Sequence, residues 1–377
     1  MKETFSSPTP KIPVAVLGAT GAVGQRFLAM LANHPWFVVE RLFASEQSAG
    51  KTYAQAVSWV LETPLPDEFA DRQVESLGPG LLSKLDDIPI AFSALAASIA
   101  GDVETLLADA GLLVFSNASN HRMDVDVPLV IPEVNPDHFA LASCQSRTNG
   151  GAIIANPNCS TIGLILSLAP LYHAFGIRRA SLVTSQALSG AGLVDGAILK
   201  LNDNVIPFIE GEEGKLATET GKLLGDLNVG ISDDGTPNFK VENATFPVSA
   251  TCTRVPVTNG HLLSVSIELE EPATQQEIEA AWTDFQGLPQ ERNLPTAPNA
   301  PIHVLKDRDG PQPAKHSNLE NGMAASVGRL RPDAFYGENG SKRRGWKFIT
   351  LCHNTIRGAA GGALLNAELW LAMTETE

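Results

Sequence analysis

Residues 12–31 read Ile12-Pro13-Val14-Ala15-Val16-Leu17, then Gly18-Ala19-Thr20-Gly21-Ala22-Val23-Gly24, then Gln25-Arg26-Phe27-Leu28-Ala29-Met30-Leu31. A short β-rich run ends at a glycine, a glycine-rich turn follows, and a helical apolar pattern begins directly after it. Strand, turn and helix in that order form the phosphate cradle of a dinucleotide-binding fold. Glycine lets the backbone approach a pyrophosphate, and a helix N-terminus offers unpaired N–H groups to it. The spacing is GxxGxxG rather than GxGxxG, so the placement between strand and helix carries the reading. A purely structural glycine turn is the competing one.

The chain continues in the same style. Val38 to Ala44 reads as a second strand, ending at Ser45-Glu46-Gln47-Ser48-Ala49-Gly50-Lys51. In this architecture the residues after the second strand meet the adenosine ribose. Ser45, Ser48 and Lys51 suit the 2′-phosphate of NADP, whereas Glu46 suits the free ribose of NAD; an ordinary polar turn is the plainer reading. Further β-type runs lie at Ile88–Ser93, Leu112–Ser116, Leu129–Pro132 and Ala152–Ala155, with a helix at Gly101–Ala110 between two of them. This alternation predicts a parallel α/β sheet reaching to about residue 157.

Composition limits what such a fold can serve. The 377 residues are 44% hydrophobic and 18% charged, enough for two domains with real cores. A formal net charge of -15 argues against nucleic acid and anionic membrane partners. The four cysteines, Cys144, Cys159, Cys252 and Cys352, show no metal-binding spacing, and so few in this length fit a reducing compartment. Residues 1–10 lack the apolar core of a signal peptide and read as a frayed leader; no run is apolar enough for a membrane span. The cytosol is the expected location.

The chemistry points to Asn156-Pro157-Asn158-Cys159-Ser160-Thr161. Asn-Pro breaks regular structure and Asn158 can cap the apolar run that follows, placing Cys159 in the first turn of a buried helix. There the helix dipole favours the thiolate, the form that attacks carbonyl carbon. A cysteine at such a place is otherwise an inert core residue. Beyond it, Ser181–Gln186 and Leu263–Leu269 read as half-exposed strands of a mixed sheet, and Gln275–Asp284 as a helix. The stretch 286–345, rich in Pro, Gly and charge, is expected to wrap the surface or join a subunit contact. The run from Ile356 to Trp370 has the small residues of a closely packed helix.

Four ordered motifs carry a resemblance: Asn158-Cys159-Ser160-Thr161; Ser185-Gln186-Ala187-Leu188-Ser189-Gly190-Ala191-Gly192; Arg254-Val255-Pro256-Val257-Thr258-Asn259-Gly260-His261; and Asn354-Thr355-Ile356-Arg357-Gly358-Ala359-Ala360-Gly361. Together they resemble aspartate-β-semialdehyde dehydrogenase, in the branch found in archaea and fungi, from about residue 12 to the C-terminus. The resemblance implies a Rossmann-like domain over residues 1–157, completed by the C-terminal helix 355–377. It further implies an α+β catalytic and oligomerisation domain over 158–354, like that of glyceraldehyde-3-phosphate dehydrogenase, and a homodimer or homotetramer.

The implied reaction is reductive dephosphorylation of β-aspartyl phosphate by NADPH to aspartate semialdehyde and phosphate, a step toward lysine, methionine, threonine and isoleucine. Cys159 matches the nucleophile that forms a thioester, and His261 the acid/base that takes the thiol proton and later handles the thiohemiacetal hydroxyl. Gln186 matches the residue that orients substrate, and Arg254 the clamp on its α-carboxylate, where a planar guanidinium suits bidentate recognition. Arg122 and Lys222 match the cations of the phosphate pocket, to which the amide of Asn158 contributes; Glu219 fits the substrate ammonium. Gly18, Thr20, Gly21, Ala22, Val23 and Gly24 would hold the cofactor pyrophosphate, Ser189 and Gly190 would lie close to its nicotinamide, and Asn354 would also bind the cofactor. Without the family, His261 is an ordinary histidine, Arg254 an ion-pair partner, and Glu219 with Lys222 a solvated helix pair. One departure stands out: the family often has an arginine where this chain has Gln47, which leaves NAD open as a second cofactor beside NADP. Malonyl-CoA reductase of the same branch and a nonenzymatic paralogue are the alternatives; N-acetyl-γ-glutamyl-phosphate reductase shares the reaction type but not the Asn-Cys-Ser-Thr motif.

Overall fold

The computed structural model describes residues 8–145, 147, 149–192, 203–231, 235, 237–336 and 340–374; residues 1–7 of the expected leader lie outside these. Its N-terminal sheet comprises β1 (Ile12–Leu17), β2 (Phe37–Ala44), β3 (Val74–Ser76), β4 (Ile90–Ser93), β5 (Leu113–Ser116) and β6 (Ala152–Ala155). All pairings are parallel and the spatial order is β3-β2-β1-β4-β5-β6. That order reverses between β1 and β4, and the crevice beyond the carboxyl ends of these two strands is where open α/β sheets bind ligands. The two strand exits meet there: a Cβ on Gly18 would lie 2.6 Å from the Ala94 carbonyl oxygen.

Helices cover both faces, which explains why Val14 to Leu17 is an unbroken buried run instead of an alternating one. Phe27 of the helix Ala22–Leu31 meets Phe92 of β4, ring centroids 5.2 Å apart, and Phe37 of β2 meets the same ring at 5.7 Å. Leu364, Leu365 and Leu369 of the C-terminal helix Gly361–Thr374 join that cluster. The end of the chain therefore completes the core of its beginning.

The helix Cys159–Phe175 leaves β6 and runs between the two halves of the molecule. Its Ile162, Ile165, Leu166 and Ala169 pack with the first sheet's residues, while Leu164, Leu168 and Leu171 pack with the second sheet's. A helix buried on all sides has no polar stripe, as its sequence already shows. The second sheet contains β7 (Ile177–Gln186), β10 (Val248–Arg254), β11 (His261–Ala273), β12 (Ile302–Leu305), β13 (Ala325–Pro332) and β14 (Arg343–Cys352), in the order β10-β7-β11-β14-β13-β12; β8 (Asp226–Ile231) and β9 (Pro237–Glu242) form a separate hairpin. In β7, Ala180, Leu182 and Thr184 face the core while Arg179, Ser181 and Val183 face outward, as the alternation predicts.

Three expectations change. Leu129–Pro132 is no strand: Leu129 makes an isolated bridge to Ala155, and the segment then turns inward, fully buried. The stretch 286–345 does not merely wrap the surface, because β12 and β13 within it extend the second sheet and bury Ile302, Ala325 and Val327. Their four- and eight-residue lengths were hidden among prolines and charges. Strands β3 and β10 were not foreseen, the first because it has three residues and the second because its face is Ser- and Thr-rich. All four cysteines are free thiols. Among the described residues no helix is long and apolar enough to cross a membrane, and no cluster could hold a metal ion.

Candidate active site

Asn158 caps the helix as expected: its side-chain oxygen accepts from the Ser160 and Thr161 amides at 2.9 and 3.3 Å. Cys159 then sits in the first turn, half-buried, at the junction of the two sheets. Its back wall is Gly358, where a Cβ would come within 2.8 Å of the Cys159 Cβ. The thiol is not poised as a thiolate. Burial pushes it up to about 12, Glu212 adds to the shift, and Arg122, Arg254 and the Ser160 amide only partly oppose it. Desolvation of the charged form outweighs the helix dipole here.

β7 and β10 pair in parallel so that Gln186 and Arg254 are register partners at their ends, and β11 begins at His261 beside them. Gln186 is buried, as is Arg254, whose Nη1 donates to the Ala187 carbonyl at 2.7 Å. His261 is wholly buried; its Nδ1 accepts from the Ala187 amide at 3.0 Å, while Nε2 has no partner among the described residues. Burial, reinforced by Arg254 and His353, holds its pKa down to about 3. The ring is therefore neutral with its proton on Nε2, the tautomer assigned by the Ala187 contact. Gly190 explains how the ring and the guanidinium share one spot: a Cβ there would lie 2.9 Å from both His261 Nε2 and Arg254 Nη1. Asn354 ties the remaining motifs together, accepting from the Gly260 amide at 2.9 Å and donating to the Ser189 hydroxyl at 2.8 Å.

The helix Glu212–Leu223 supplies the acidic side, with an unexpected division of labour. Glu219 points into the fold: one oxygen accepts from Arg122 Nη1 at 2.9 Å and the other from the Asn158 amide at 2.7 Å. Lys222 donates to the carbonyls of Arg122, Asp124 and Val127 at 2.9, 2.6 and 2.8 Å, which occupies all three of its protons. Burial lowers its pKa to about 8, against the pull of Asp124 and Asp126. Two turns earlier, Glu212 accepts from Asn158 Nδ2 at 3.0 Å, from Gln186 Nε2 at 3.3 Å and from Lys215 Nζ at 2.8 Å. Burial pushes the Glu212 carboxyl up, but these donors outweigh it and hold the group below the usual carboxylate value.

Glu212 and Lys215 were missed. The same Glu-x-x-Lys spacing occurs twice in this helix, seven residues apart, and sequence alone does not say which pair faces the nucleophile. A second miss is Gln25, whose amide donates to the Thr20 and Ser58 carbonyls at 3.0 and 2.9 Å and accepts from the Val60 amide at 2.9 Å, fastening the glycine turn.

That turn fits a dinucleotide. A Cβ on Gly24 would fall 2.1 Å from the Gly18 carbonyl, so helix and turn touch as only glycine allows. The helix starts at Gly21 with no side-chain cap, leaving first-turn N–H groups for an anion. Thr20, Ala22 and Val23 are half-buried along this edge. Beyond β2, Ser45 and Lys51 are exposed and Ser48 half-buried; Glu46 is exposed on the same turn.

Residues 13–142 match the family model described as semialdehyde dehydrogenase, NAD binding domain, and residues 168–357 match the semialdehyde dehydrogenase dimerisation domain. The aspartate-semialdehyde dehydrogenase of Archaeoglobus fulgidus is 46% identical over 360 residues, covering 95% of this chain and 97% of its own. That of Methanothermobacter thermautotrophicus is 44% identical over 360 residues, covering 95% and 98%. A crystal structure of aspartate semialdehyde dehydrogenase with NADP from Candida albicans is similar with a TM-score of 0.82 at 37% identity, covering 97% of this chain and 99% of that one.

Proposed function

The chain belongs to the aspartate-semialdehyde dehydrogenase family, and from that membership we propose that it catalyses the NADP-dependent interconversion of β-aspartyl phosphate and aspartate semialdehyde through a thioester on Cys159. The observation that carries this reading is the convergence of Cys159, Gln186, Arg254 and His261, which come from three strand ends and one helix start, around a single cleft.

In the reductive direction the Cys159 sulfur attacks the acyl carbon, the carbon–oxygen bond to phosphate breaks, and a thioester remains. The turn Gly18 to Gly24 would hold NADPH, which would supply the hydride. Collapse of the resulting thiohemiacetal breaks the carbon–sulfur bond, releases the aldehyde and restores the thiol. Arg254 receives the substrate's α-carboxylate, and Glu212, rather than Glu219, is the carboxylate placed for its ammonium group. Lys215 and Arg122 are the cations for phosphate, and Lys222 supports them by holding the loop that carries Arg122.

Of the two jobs expected of His261, its resting tautomer fits the second. Nε2–H is a buried donor without a partner among the described residues, suited to the substrate carbonyl and then to the thiohemiacetal oxygen. Accepting the thiol proton at Nε2 would turn an N–H of the ring against the Ala187 N–H. We therefore assign that proton to the departing phosphate oxygen, which balances the acylation; the proton consumed with the hydride comes from solvent and ends on the restored thiol.

The domains are proposed as 1–157 with 355–377, and 158–354, a division supported by the two sheets and by the C-terminal helix packed on the first. The dimerisation-domain match supports a homo-oligomer, proposed as a homodimer or homotetramer in the cytoplasm. NADP is proposed over NAD on Ser45, Ser48 and Lys51, with NAD as a weaker second cofactor because of Glu46. The test is nicotinamide reduction with aspartate semialdehyde and phosphate, using NADP, NAD and the Cys159→Ser variant. Turnover by the wild type and none by the variant, with cofactor affinity retained, is the expected result. Comparable turnover in Cys159→Ser would remove the thioester from the mechanism.

A further inference from the structure

We infer that the buried ion pair between Glu133 and Arg357 holds Cys159 in register for attack, by pinning the π-turn whose Gly358 backs the nucleophile. The inference rests on Cys159 being the nucleophile.

The pair joins a segment tied to the end of β6 to the turn that backs Cys159. Arg357 Nη1 donates to Glu133 Oε1 at 3.0 Å and Nη2 donates to Oε2, with the side chains 1% and 0% exposed. Gln290 adds a donor to Glu133 at 3.4 Å. Glu133 follows a segment tied to the end of β6: the Val130 amide donates to the Ala155 carbonyl at 3.1 Å, and the Ala155 amide to the Pro128 carbonyl at 2.9 Å. β6 leads directly through Asn156-Pro157-Asn158 into Cys159. Arg357 lies in the turn Ile356–Ala360, where the Gly358 amide donates to the His353 carbonyl at 2.9 Å and the Ala360 amide to the Thr355 carbonyl at 3.2 Å. These are i to i−5 bonds, one residue wider than an α-helix.

Such turns are rare and gather at functional sites. If this one tightened to an α-helix, each residue would swing by about 100° around the axis. Gly358 would leave the Cys159 wall and a residue with a side chain would enter it. There is no room for that, since even a Cβ at 358 would lie 2.8, 3.1 and 3.3 Å from Cys159 Cβ, Cα and carbonyl oxygen. The register of the turn therefore sets the position of the nucleophile. A bidentate pair between planar groups fixes register well. Its net stabilisation is a weak reason for burying two charges, because desolvation offsets the attraction. Asn156 adds a polar link from the nucleophile loop, donating to the Ala359 carbonyl at 3.3 Å. Glu133 and Arg357 are thus positioning residues, acting through Gly358.

The experiment replaces the pair with apolar groups of similar volume, Glu133→Leu with Arg357→Met, so that no charge is left buried alone. Four readings are taken: thermal melting, NADP titration, kcat and KM, and the pH profile of Cys159 alkylation by iodoacetamide, followed by mass spectrometry of its peptide. The expected outcome is a folded, NADP-binding enzyme whose kcat falls about 10- to 100-fold at nearly constant KM, with the alkylation profile displaced from wild type. A folded double variant with wild-type kcat and alkylation profile overturns the inference. Should the double variant not fold, Arg357→Lys decides, since it keeps the charge and loses the fork: a kcat loss supports the clamp and wild-type kcat overturns it. The alkylation reading needs no substrate. A displaced profile in a chain inactive on aspartate semialdehyde would retain the clamp and reject the proposed reaction.

Discussion

Replacing Gly358 with alanine inserts one methyl group into the back wall of the nucleophile, and the structure gives the size of the disturbance. The new carbon would lie 2.8 Å from Cys159 Cβ and 3.1 Å from its Cα, where carbon atoms in contact settle at about 3.5–4.0 Å. Cys159 or the turn must therefore yield by about 0.7–1.2 Å. Movement away from Gly358 carries the sulfur toward the cleft and off its line to the acyl carbon. Overpacking of this kind costs about 1–3 kcal/mol of stability, and a misplacement of about 1 Å costs about 100-fold in rate. Gly358→Ala is thus expected to fold, to melt a few degrees lower, to bind NADP normally and to lose about two orders of magnitude in kcat. The assay is phosphate-dependent reduction of NADP with aspartate semialdehyde, alongside a melting curve. A kcat within threefold of wild type would show that the wall does not position the sulfur, and the argument from close contact would fail.

The two carboxylates of the Glu212–Leu223 helix should separate by assay. Glu212→Gln is expected to raise KM for aspartate semialdehyde with little change in melting; Glu219→Gln leaves Arg122 buried beside a neutral partner and should cost roughly 3–5 kcal/mol in urea unfolding. The reverse pattern would restore Glu219 to the substrate. His261 is held down to about 3 and His353 to about 4, both from 6.5, chiefly by burial. The unfolded chain binds protons there that the folded chain does not, so these groups leave stability unaffected above about 6.5 and erode it as pH falls, by roughly 2 kcal/mol each at pH 5. Urea unfolding of His353→Gln should show a shallower decline between pH 7 and 5 than wild type, and an identical decline would contradict the burial argument. Glu46→Ser should raise the ratio of kcat/KM with NADP over NAD by about tenfold, the effect of removing roughly 1.4 kcal/mol of repulsion from a 2′-phosphate; an unchanged ratio would place the ribose elsewhere.

What the sequence made legible is what depends on neighbours along the chain. The strand, glycine turn and helix of 12–31 appear as read, because glycine contacts and helix start are local. Asn158 caps as read for the same reason. Glu212 was illegible because choosing between two identical spacings requires knowing which face of a helix meets another element. The thiol's state was misjudged in the same way: the dipole is local to the helix, but burial comes from strands and turns up to two hundred residues away. Strand β12 escaped notice because a short run becomes a strand only when a neighbouring strand offers it a partner, and β13 because prolines and charges surround it.

The charge states of the site form one arrangement. Burial pushes the Cys159 thiol up and the His261 imidazole down, so both shifts favour the neutral forms over a resting thiolate–imidazolium pair. Around these neutral reactants stand fixed charges: Glu219 with Arg122, and Glu212 with Lys215. Each of these four charges is already partnered inside the protein, so the substrate's ammonium and phosphate groups meet them by exchanging partners. The substrate's carboxylate takes the Arg254 guanidinium, whose Nη1 in the resting chain donates to the Ala187 carbonyl. Negative charge then develops on the sulfur as the acyl carbon is reached, where Arg122 and Arg254 already lower the thiol's pKa. Reactivity that rises with substrate in place also slows side reactions of a thiol beside the cofactor cleft in its absence, compared with a thiolate held ready by the helix dipole.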